Sequence, residues 1–330
     1  MASMFDTAAF IQAENEPVVV NGTTGDDTLN TGTNRTTLNG LVGNDTLTTG
    51  LLGRGYTGEL YAIQNGGTGN DTMSVLINAF TNYAYTQLDG GTGADRLSVN
   101  STLTNEDADA TVLIENYLTG GTGDDVIDVD ATLSSVSGGN INNEVYAGTG
   151  NDTVTMTARV LEGTDVELAY NYADGGTGDD TIFATAFGDG DDYLINEVSG
   201  GIGNDIIIAR TEGGYGESYI AGGSGADVLQ VIGGFYNELY GQGGNDTLFG
   251  GTGIDIMSGG TEADRFFIGL NNGADVITDF QVGSDTLVLT DGQTIDSLAI
   301  SNGSTFVTFA DGGSVLLQGV TIADEALLFG

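Results

Sequence analysis

Short alternating runs of apolar and polar residues extend along most of the chain, and each run follows a glycine-rich turn. Apolar residues stand two and four positions after the aspartate that ends a turn: Met73 and Val75, Leu97 and Val99, Ile127 and Val129, Val154 and Met156, Leu229 and Val231. An alternation with a period of two is typical of β-strands that bury one face. The pattern therefore predicts an all-β protein in which a strand begins at each turn.

A second strand is predicted before each turn. Seven positions before the turn aspartate stand Leu88, Leu118, Val145, Val198, Ile220 and Leu239, and nine positions before it stand Asn116, Asn143, Asn171, Asn196 and Asn237. The period of two places both sets on the same inward face. We interpret the asparagines as stacked ladders that satisfy buried backbone groups, with an asparagine-lined ligand groove as the alternative.

Tyrosines are predicted on the outward face of these second strands. Positions eight and ten before the turn aspartate carry Tyr61, Tyr85, Tyr117, Tyr170, Tyr172, Tyr219 and Tyr236. A row of exposed tyrosines is consistent with an interaction surface, or with cross-strand packing between neighbouring coils. The sequence leaves both interpretations open.

The turns share one form, in which a glycine-rich segment ends in aspartate and an apolar residue follows two positions later. Twelve copies occupy residues 22–29, 40–47, 66–73, 90–97, 120–127, 147–154, 175–182, 200–207, 222–229, 241–248, 250–257 and 259–266. Calcium requires six to eight oxygen ligands, which carboxylates and backbone carbonyls supply. Glycines allow the sharp turns with positive φ that aim carbonyls inward. The turns are therefore candidate calcium sites.

The spacing of the turn aspartates indicates how the repeats are arranged in space. From Asp27 to Asp246 consecutive aspartates lie 18 to 30 residues apart, except that Asp246, Asp255 and Asp264 follow at steps of nine. A longer step has room for two strands and two turns. We therefore predict one motif per full coil, with the motifs on one edge, variable loops on the other, and Asp255 away from the common edge.

Composition removes several classes of function. The chain has 47 Asp and Glu against 6 Arg, no Lys, no His and no Cys, and its net charge is −41. Imidazole bases, Schiff-base lysines, thiol nucleophiles and zinc sites of the Cys/His kind are therefore excluded. A polyanion repels nucleic acid and anionic membranes, and no apolar run is long enough to insert into a bilayer. With 39% hydrophobic residues the chain can bury a core once its charge is neutralised.

The repeats resemble the RTX (repeats-in-toxin, or hemolysin-type) calcium-binding nonapeptide G-G-x-G-x-D-x-U-x. The resemblance implies a calcium-bound parallel β-roll or β-solenoid that holds roughly ten ions. It assigns the metal to Asp27, Asp45, Asp71, Asp95, Asp125, Asp152, Asp180, Asp205, Asp227, Asp246, Asp255 and Asp264. It adds the turn glycines Gly67, Gly69, Gly91, Gly93, Gly121, Gly123, Gly148, Gly150, Gly176, Gly178, Gly201, Gly203, Gly223, Gly225, Gly251 and Gly253.

Three regions follow from the extent of the repeats: an N-terminal arm or cap over 1–20, the RTX solenoid over 21–266, and a C-terminal β cap over 267–330. Residues 274–289 resemble the segment that closes RTX domains of type I-secreted proteins. Residues 320–330 resemble the apolar tails that type I secretion machinery reads. The alternative for this end is a plain β cap that shields the last coil.

Three functions are compatible with these features. The first is a non-enzymatic extracellular or cell-surface structural component, such as a surface layer, filament or biofilm matrix, that folds and self-associates on binding calcium. The second is a calcium-dependent adhesin or ligand-binding module that uses the long loops opposite the calcium edge. The third, an enzyme with paired carboxylates, has the least support because the repeats leave no room for a catalytic domain and calcium already accounts for the aspartates.

Overall fold

The computed structural model describes residues 17–53, 58–104, 111–134, 138–161 and 168–329. Within these ranges the chain forms twenty-seven β-strands and one short 3-10 helix, Glu325–Leu328. No helix in the described part of the chain is long and apolar enough to cross a membrane. The all-β prediction is confirmed.

The strands belong to two sheets, which we call sheet A and sheet B. Within the described ranges, sheet A contains β1 (Val18–Asn21), β3 (Arg35–Val42), β5 (Leu60–Thr68), β7 (Tyr83–Thr92), β9 (Val112–Thr122), β11 (Gly139–Thr149), β13 (Leu168–Thr177), β15 (Tyr193–Ile202), β17 (Tyr215–Ser224), β19 (Tyr236–Gly243), β21 (Ile254–Thr261), β23 (Ala274–Ile277), β25 (Ile295–Ser301), β26 (Ser304–Phe309) and β27 (Ser314–Leu317). Sheet B contains β2 (Thr28–Thr31), β4 (Thr46–Gly53), β6 (Thr72–Ala79), β8 (Arg96–Thr104), β10 (Val126–Ser134), β12 (Thr153–Leu161), β14 (Thr181–Phe187), β16 (Ile206–Glu212), β18 (Val228–Gly233), β20 (Thr247–Phe249), β22 (Arg265–Ile268) and β24 (Thr286–Leu289).

The chain alternates between the sheets, so each coil contributes one strand to each of them. Odd strands from β1 to β23 pair in parallel, and so do all even strands. Equivalent repeat positions are in register: Ile127 lies beside Leu97 on one side and Val154 on the other. The predicted parallel solenoid with one motif per coil is therefore confirmed. All odd-to-even turns up to β24 lie on one edge, which we call the motif edge.

A single core runs through the solenoid between the two sheets. Leu97, Ile127 and Val154 are at most 1% exposed, and the six apolar residues predicted on the facing strands are also buried. Each coil adds one layer of branched aliphatic side chains, whose burial stabilises the stack by about 25 cal/mol per Å². The coil cannot bury this face alone, so each layer depends on its neighbours.

The predicted asparagine ladder lies inside this core. Asn143 donates through Nδ2 to Oδ1 of Asn171 at 2.9 Å, and Asn171 donates to Oδ1 of Asn196 at 2.9 Å. Asn171 Nδ2 also donates to the carbonyl of Thr185 on the opposite sheet, at 2.8 Å. The five predicted asparagines are at most 2% exposed, so they hold backbone groups together and line no groove.

The predicted tyrosines lie on the outer face of sheet A and contact one another between coils. The ring centroids of Tyr61 and Tyr85 lie 6.0 Å apart. Tyr146, which was not predicted in this row, lies between Tyr117 and Tyr172, with ring centroids 5.5 and 5.4 Å from theirs. Tyr170 donates its hydroxyl hydrogen to Glu197 at 2.8 Å. These contacts agree with packing between neighbouring coils, one of the two interpretations of the row.

The two ends of the solenoid differ. At the C-terminal end β23 pairs in parallel with β27, and the antiparallel strands β25, β26 and β27 continue sheet A as a β cap. At the other end β1 covers only four residues of β3. Of the predicted N-terminal arm, residues 1–16 lie outside the described residues, and Val18–Asn21 forms a strand.

Candidate metal centre

The motif edge carries one aspartate per coil, arranged in a single column. An odd strand ends at the glycine-rich turn, and the aspartate stands just before the even strand, pointing inward. The column in the described chain contains Asp27, Asp45, Asp71, Asp95, Asp125, Asp152, Asp180, Asp205, Asp227, Asp246, Asp264 and Asp285. Eleven of the predicted metal residues therefore lie in one line, and the parallel register places them there.

Consecutive aspartates are joined by a repeated hydrogen bond. The backbone N–H of each one donates to Oδ1 of the next, at 2.7–3.1 Å over all eleven steps. For example, Asp152 donates to Asp180 at 2.7 Å, and Asp180 donates to Asp205 at 2.8 Å. The ladder uses only one oxygen of each carboxylate, so the other oxygen is left for a different partner.

That second oxygen is buried without a hydrogen-bond partner in ten of the twelve column aspartates, from Asp45 to Asp264. In Asp180 it points at Gly175: Oδ2 and the carbonyl oxygen of Gly200 each lie 2.5 Å from the point where a side-chain carbon on Gly175 would stand. Asp71 Oδ2 and the Gly90 carbonyl meet in the same way beside Gly66, at 2.4 and 2.6 Å. The same convergence of a carboxylate oxygen and a carbonyl oxygen occurs beside Gly22, Gly40, Gly90, Gly120 and Gly241, whereas in the turn of Asp152 this position is Ala147.

Burial makes the charge on these carboxylates costly. It raises the pKa of Asp95, Asp125, Asp180 and Asp246, and neighbouring aspartates in the column raise these pKa values further, against the lowering effect of the backbone N–H bonds. The pKa values reach about 7 for Asp125, Asp180 and Asp246 and about 6 for Asp95, Asp205 and Asp264. A buried carboxylate requires a cation or a proton, and as the pH rises through these pKa values the proton is lost and a cation is needed in its place.

The donor set fits calcium. Among the described residues, ion pairs involve Arg35, Arg159 and Arg210, and none of them includes a column aspartate. In the same ranges no group of three or more acidic side chains is placed to hold a metal ion without other ligands. The remaining oxygens must come from backbone carbonyls, which calcium accepts and which its flexible coordination accommodates. Adjacent coils together would hold each ion.

The sixteen predicted turn glycines allow the coils to approach one another. All have positive φ, between 84° and 144°. A side-chain carbon at any of them would lie 1.7–2.8 Å from a backbone carbonyl of the preceding coil. At Gly93, with φ of 130°, that carbon would stand 1.9 Å from the carbonyl oxygen of Gly69. Only glycine fits such a position; the role of these residues as ligands stays a prediction.

Asp255 lies on the opposite edge, as its spacing indicated. Its backbone N–H donates to Oδ1 of Asp275 at 3.2 Å, its Oδ1 accepts from Asn237 at 2.7 Å, and its Oδ2 has no hydrogen-bond partner. Burial raises the pKa of Asp255 to about 8 and that of Asp275 to about 7. Between one pair of coils on the opposite edge, Asp255 and Asp275 therefore reproduce two features of the motif edge: the hydrogen bond from a backbone N–H to Oδ1, and an Oδ2 without a hydrogen-bond partner.

Sequence reasoning did not assign a metal to Asp275, Asp285 or Asp192. Asp285 ends the column and Asp275 pairs with Asp255, but their turns contain only one glycine each (residues 271–277 and 282–287) and escape the repeat pattern. Asp192 is buried on the opposite edge within residues 188–194, which read GDGDDYL and match the spacing of the motif. This match to the motif spacing is the sequence signal by which Asp192 could have been found.

Comparison with known proteins agrees with these repeats. A family model described as the RTX calcium-binding nonapeptide repeat (4 copies) matches residues 21–51, 115–131, 137–155, 212–230 and 240–277. Among solved structures, the extracellular lipase LipA from Serratia marcescens is similar at 18% identity and a TM-score of 0.23, over 48% of this chain and 40% of the lipase. This chain thus spans less than half of the lipase. No curated protein matches.

Proposed function

We propose, from the premise that this chain is an RTX calcium-binding repeat protein, that calcium on the motif edge folds it into an extracellular structural component. The observation that carries the proposal is the column of ten buried carboxylate oxygens without hydrogen-bond partners. Calcium-binding repeats of this family are typical of secreted proteins. The structural role, the self-association and the export route are our inference.

Electrostatics explains why calcium would be needed. Coils are stacked at ~4.8 Å, and two carboxylates at that separation repel by about 3 kcal/mol at an effective dielectric constant of about 20. The column repeats this repulsion over eleven steps in a chain of net charge −41. One divalent ion per step would supply about +22, which removes roughly half of the net charge. Folding and charge neutralisation would then be a single event.

A structural role accounts for more of the chain than a catalytic one. The described residues form one uninterrupted stack, and neither His nor Cys nor Lys is present to act as base or nucleophile. The adhesin alternative relies on long loops opposite the motif edge, and residues 105–110 and 162–167 of those loops lie outside the described residues. We therefore retain the structural role as the leading proposal.

Light scattering and electron micrographs of the purified full chain, with millimolar calcium and with chelator, test this role. We expect extended assemblies in calcium that disperse on chelation. A chain that binds calcium and folds, yet remains monomeric at high concentration, would contradict the structural role and favour the adhesin.

A further inference from the structure

The outward face of sheet B changes from mostly polar to mostly apolar residues half way along the solenoid. Three positions after each column aspartate, the outward row reads Asn30, Thr48, Ser74, Ser98, Asp128 and Thr155, and then Phe183, Ile208, Gln230, Phe249, Phe267 and Val288. The residues of this row occupy the same position of the coil in both halves. Neither strand pairing nor core packing therefore requires the change from polar to apolar residues. The apolar half needs its own explanation.

The apolar residues lie on one surface, interrupted at Gln230, which we call the apolar face: Phe183, Ile206, Ile208, Ile232, Phe249 and Phe267. Phe183, Ile206 and Ile232 are 38%, 42% and 39% exposed. The rings of Phe249 and Phe267 stack with centroids 4.3 Å apart. Contiguous exposed apolar surface of this kind on a soluble chain indicates an interaction site.

Charge indicates what can approach this face. The strands β14, β16, β18, β20, β22 and β24 contain three charged residues, Arg210, Glu212 and Arg265, and the first two form an ion pair at 3.1 Å. Their net charge is +1, on a chain of −41. The outer face of sheet A, by contrast, carries Glu144 on β11, Glu197 on β15, Glu217 on β17 and Glu238 on β19. Two copies that meet through sheet A repel, whereas two that meet through the apolar face do not.

We propose that the apolar face binds the same face of a second copy of this chain, as a two-fold dimer that serves as the unit of assembly. This inference rests on the proposed self-association. Six strands at ~4.8 Å and two to three outward rows at ~6.7 Å give about 400–600 Å² per copy. A stable interface buries about 800 Å² per partner. The dimer is therefore weak and forms at high protein concentration.

Two sets of variants test the dimer by sedimentation equilibrium of the full chain in millimolar calcium. Phe183→Thr with Phe249→Thr replaces two apolar residues by the residue that the same row has at Thr155. The matched control is Leu52→Thr with Leu76→Thr, which removes two exposed apolar residues, 57% and 41% exposed, from the other half of sheet B. We expect the first pair to weaken dimerisation at least tenfold and the control pair to leave it unchanged.

A crosslinking experiment tests the two-fold arrangement independently. The chain contains no cysteine, so Gln230→Cys introduces a single thiol at the centre of the apolar face, where a two-fold axis brings it beside its own copy. We expect a disulfide-linked dimer on oxidation, and none for Ser74→Cys in the polar half of the row. The apolar dimer is overturned if the chain assembles, no crosslink forms at Gln230→Cys, and the phenylalanine variants have no effect. That outcome leaves the proposed function standing. A wild-type chain that never associates would overturn both.

Discussion

Replacing Asp180 by Asn separates the two roles of a column aspartate, because the amide keeps the hydrogen bond and loses the charge. Asp180 Oδ1 accepts from the N–H of Asp152 at 2.7 Å, and an amide oxygen can do the same. The amide nitrogen replaces Oδ2, which faces the carbonyl of Gly200 across a shared space. We therefore expect Asp180→Asn to stabilise the calcium-free fold and to destabilise the calcium-bound fold.

The magnitudes follow from burial and from mass action. Burial raises the pKa of Asp180 to about 7, about three units above the unfolded value, and at ~1.36 kcal/mol per unit the ionised group costs at most ~4 kcal/mol above that pH. Solvent near the edge screens this cost, so we expect a gain of about 1–2 kcal/mol without calcium. With calcium at about 100 times its dissociation constant, each lost ion costs about 2.7 kcal/mol. Asp180 lies between two inter-coil steps, so the loss is about 3–5 kcal/mol.

Urea unfolding followed by far-UV circular dichroism measures the free energy of unfolding. It is carried out in millimolar calcium, where we expect destabilisation, and in calcium-free buffer with a stabilising osmolyte, where we expect stabilisation. Asp179→Asn is the matched control, since it removes the same charge from the adjacent, exposed position of the same turn. We expect the control to change stability by less than about 0.5 kcal/mol in either buffer. If Asp180→Asn changes the stability equally with and without calcium, the carboxylate does not hold calcium and the calcium column is wrong.

Two further predictions follow from the same geometry, and a third follows from the resemblance of residues 320–330 to type I secretion tails. Gly93→Ala should destabilise the folded chain by at least about 2 kcal/mol in thermal or urea unfolding. Gly25→Ala should have little effect, because Gly25 stands at the same motif position in the first coil and a side-chain carbon there would meet nothing within 4 Å. Equal effects of the two substitutions would contradict the packing argument. Because the pKa values of the column aspartates are raised in the folded chain, the calcium-free fold should be most stable below pH about 4 and should lose stability as pH rises through about 7. Circular dichroism over a pH series in chelator measures this dependence. Stability that increases with pH over this range would refute the pKa assignments. Deleting residues 322–330 should retain the protein inside the producing cell while calcium-dependent folding persists, and normal export of the truncated chain would refute the secretion tail.

The parts of the fold that were predictable are those that the repeat imposes at every coil. The apolar residue two positions after each turn aspartate, such as Ile127, determines which face of the strand is buried, and the register of neighbouring coils follows from it. The step of nine residues at Asp255 placed it on the other edge because nine residues span only half a coil. Recurrence of the motif, and not a constant spacing, therefore predicted both the architecture and the main column.

The remaining features depend on contacts that no local pattern encodes. Asp285 joins the column because β24 pairs with β22, although its turn lacks the glycine pair of the repeat. Asp275 pairs with Asp255 through stacking of turns on the opposite edge, and their sequence separation of 20 residues matches no repeat step around them. The apolar face requires the register of six strands before its residues become neighbours. Such long-range alignment is fixed by the stack as a whole.

The most direct test of the account is the number of calcium ions bound as the chain folds. Equilibrium dialysis with labelled calcium, combined with far-UV circular dichroism on the same samples, measures both quantities. We expect a largely unfolded chain in chelator, cooperative formation of β-structure in calcium, and about one ion for each of the eleven inter-coil steps of the motif edge. A β-rich spectrum that chelation leaves unchanged, or folding that is complete with only one or two ions bound, would contradict the calcium column.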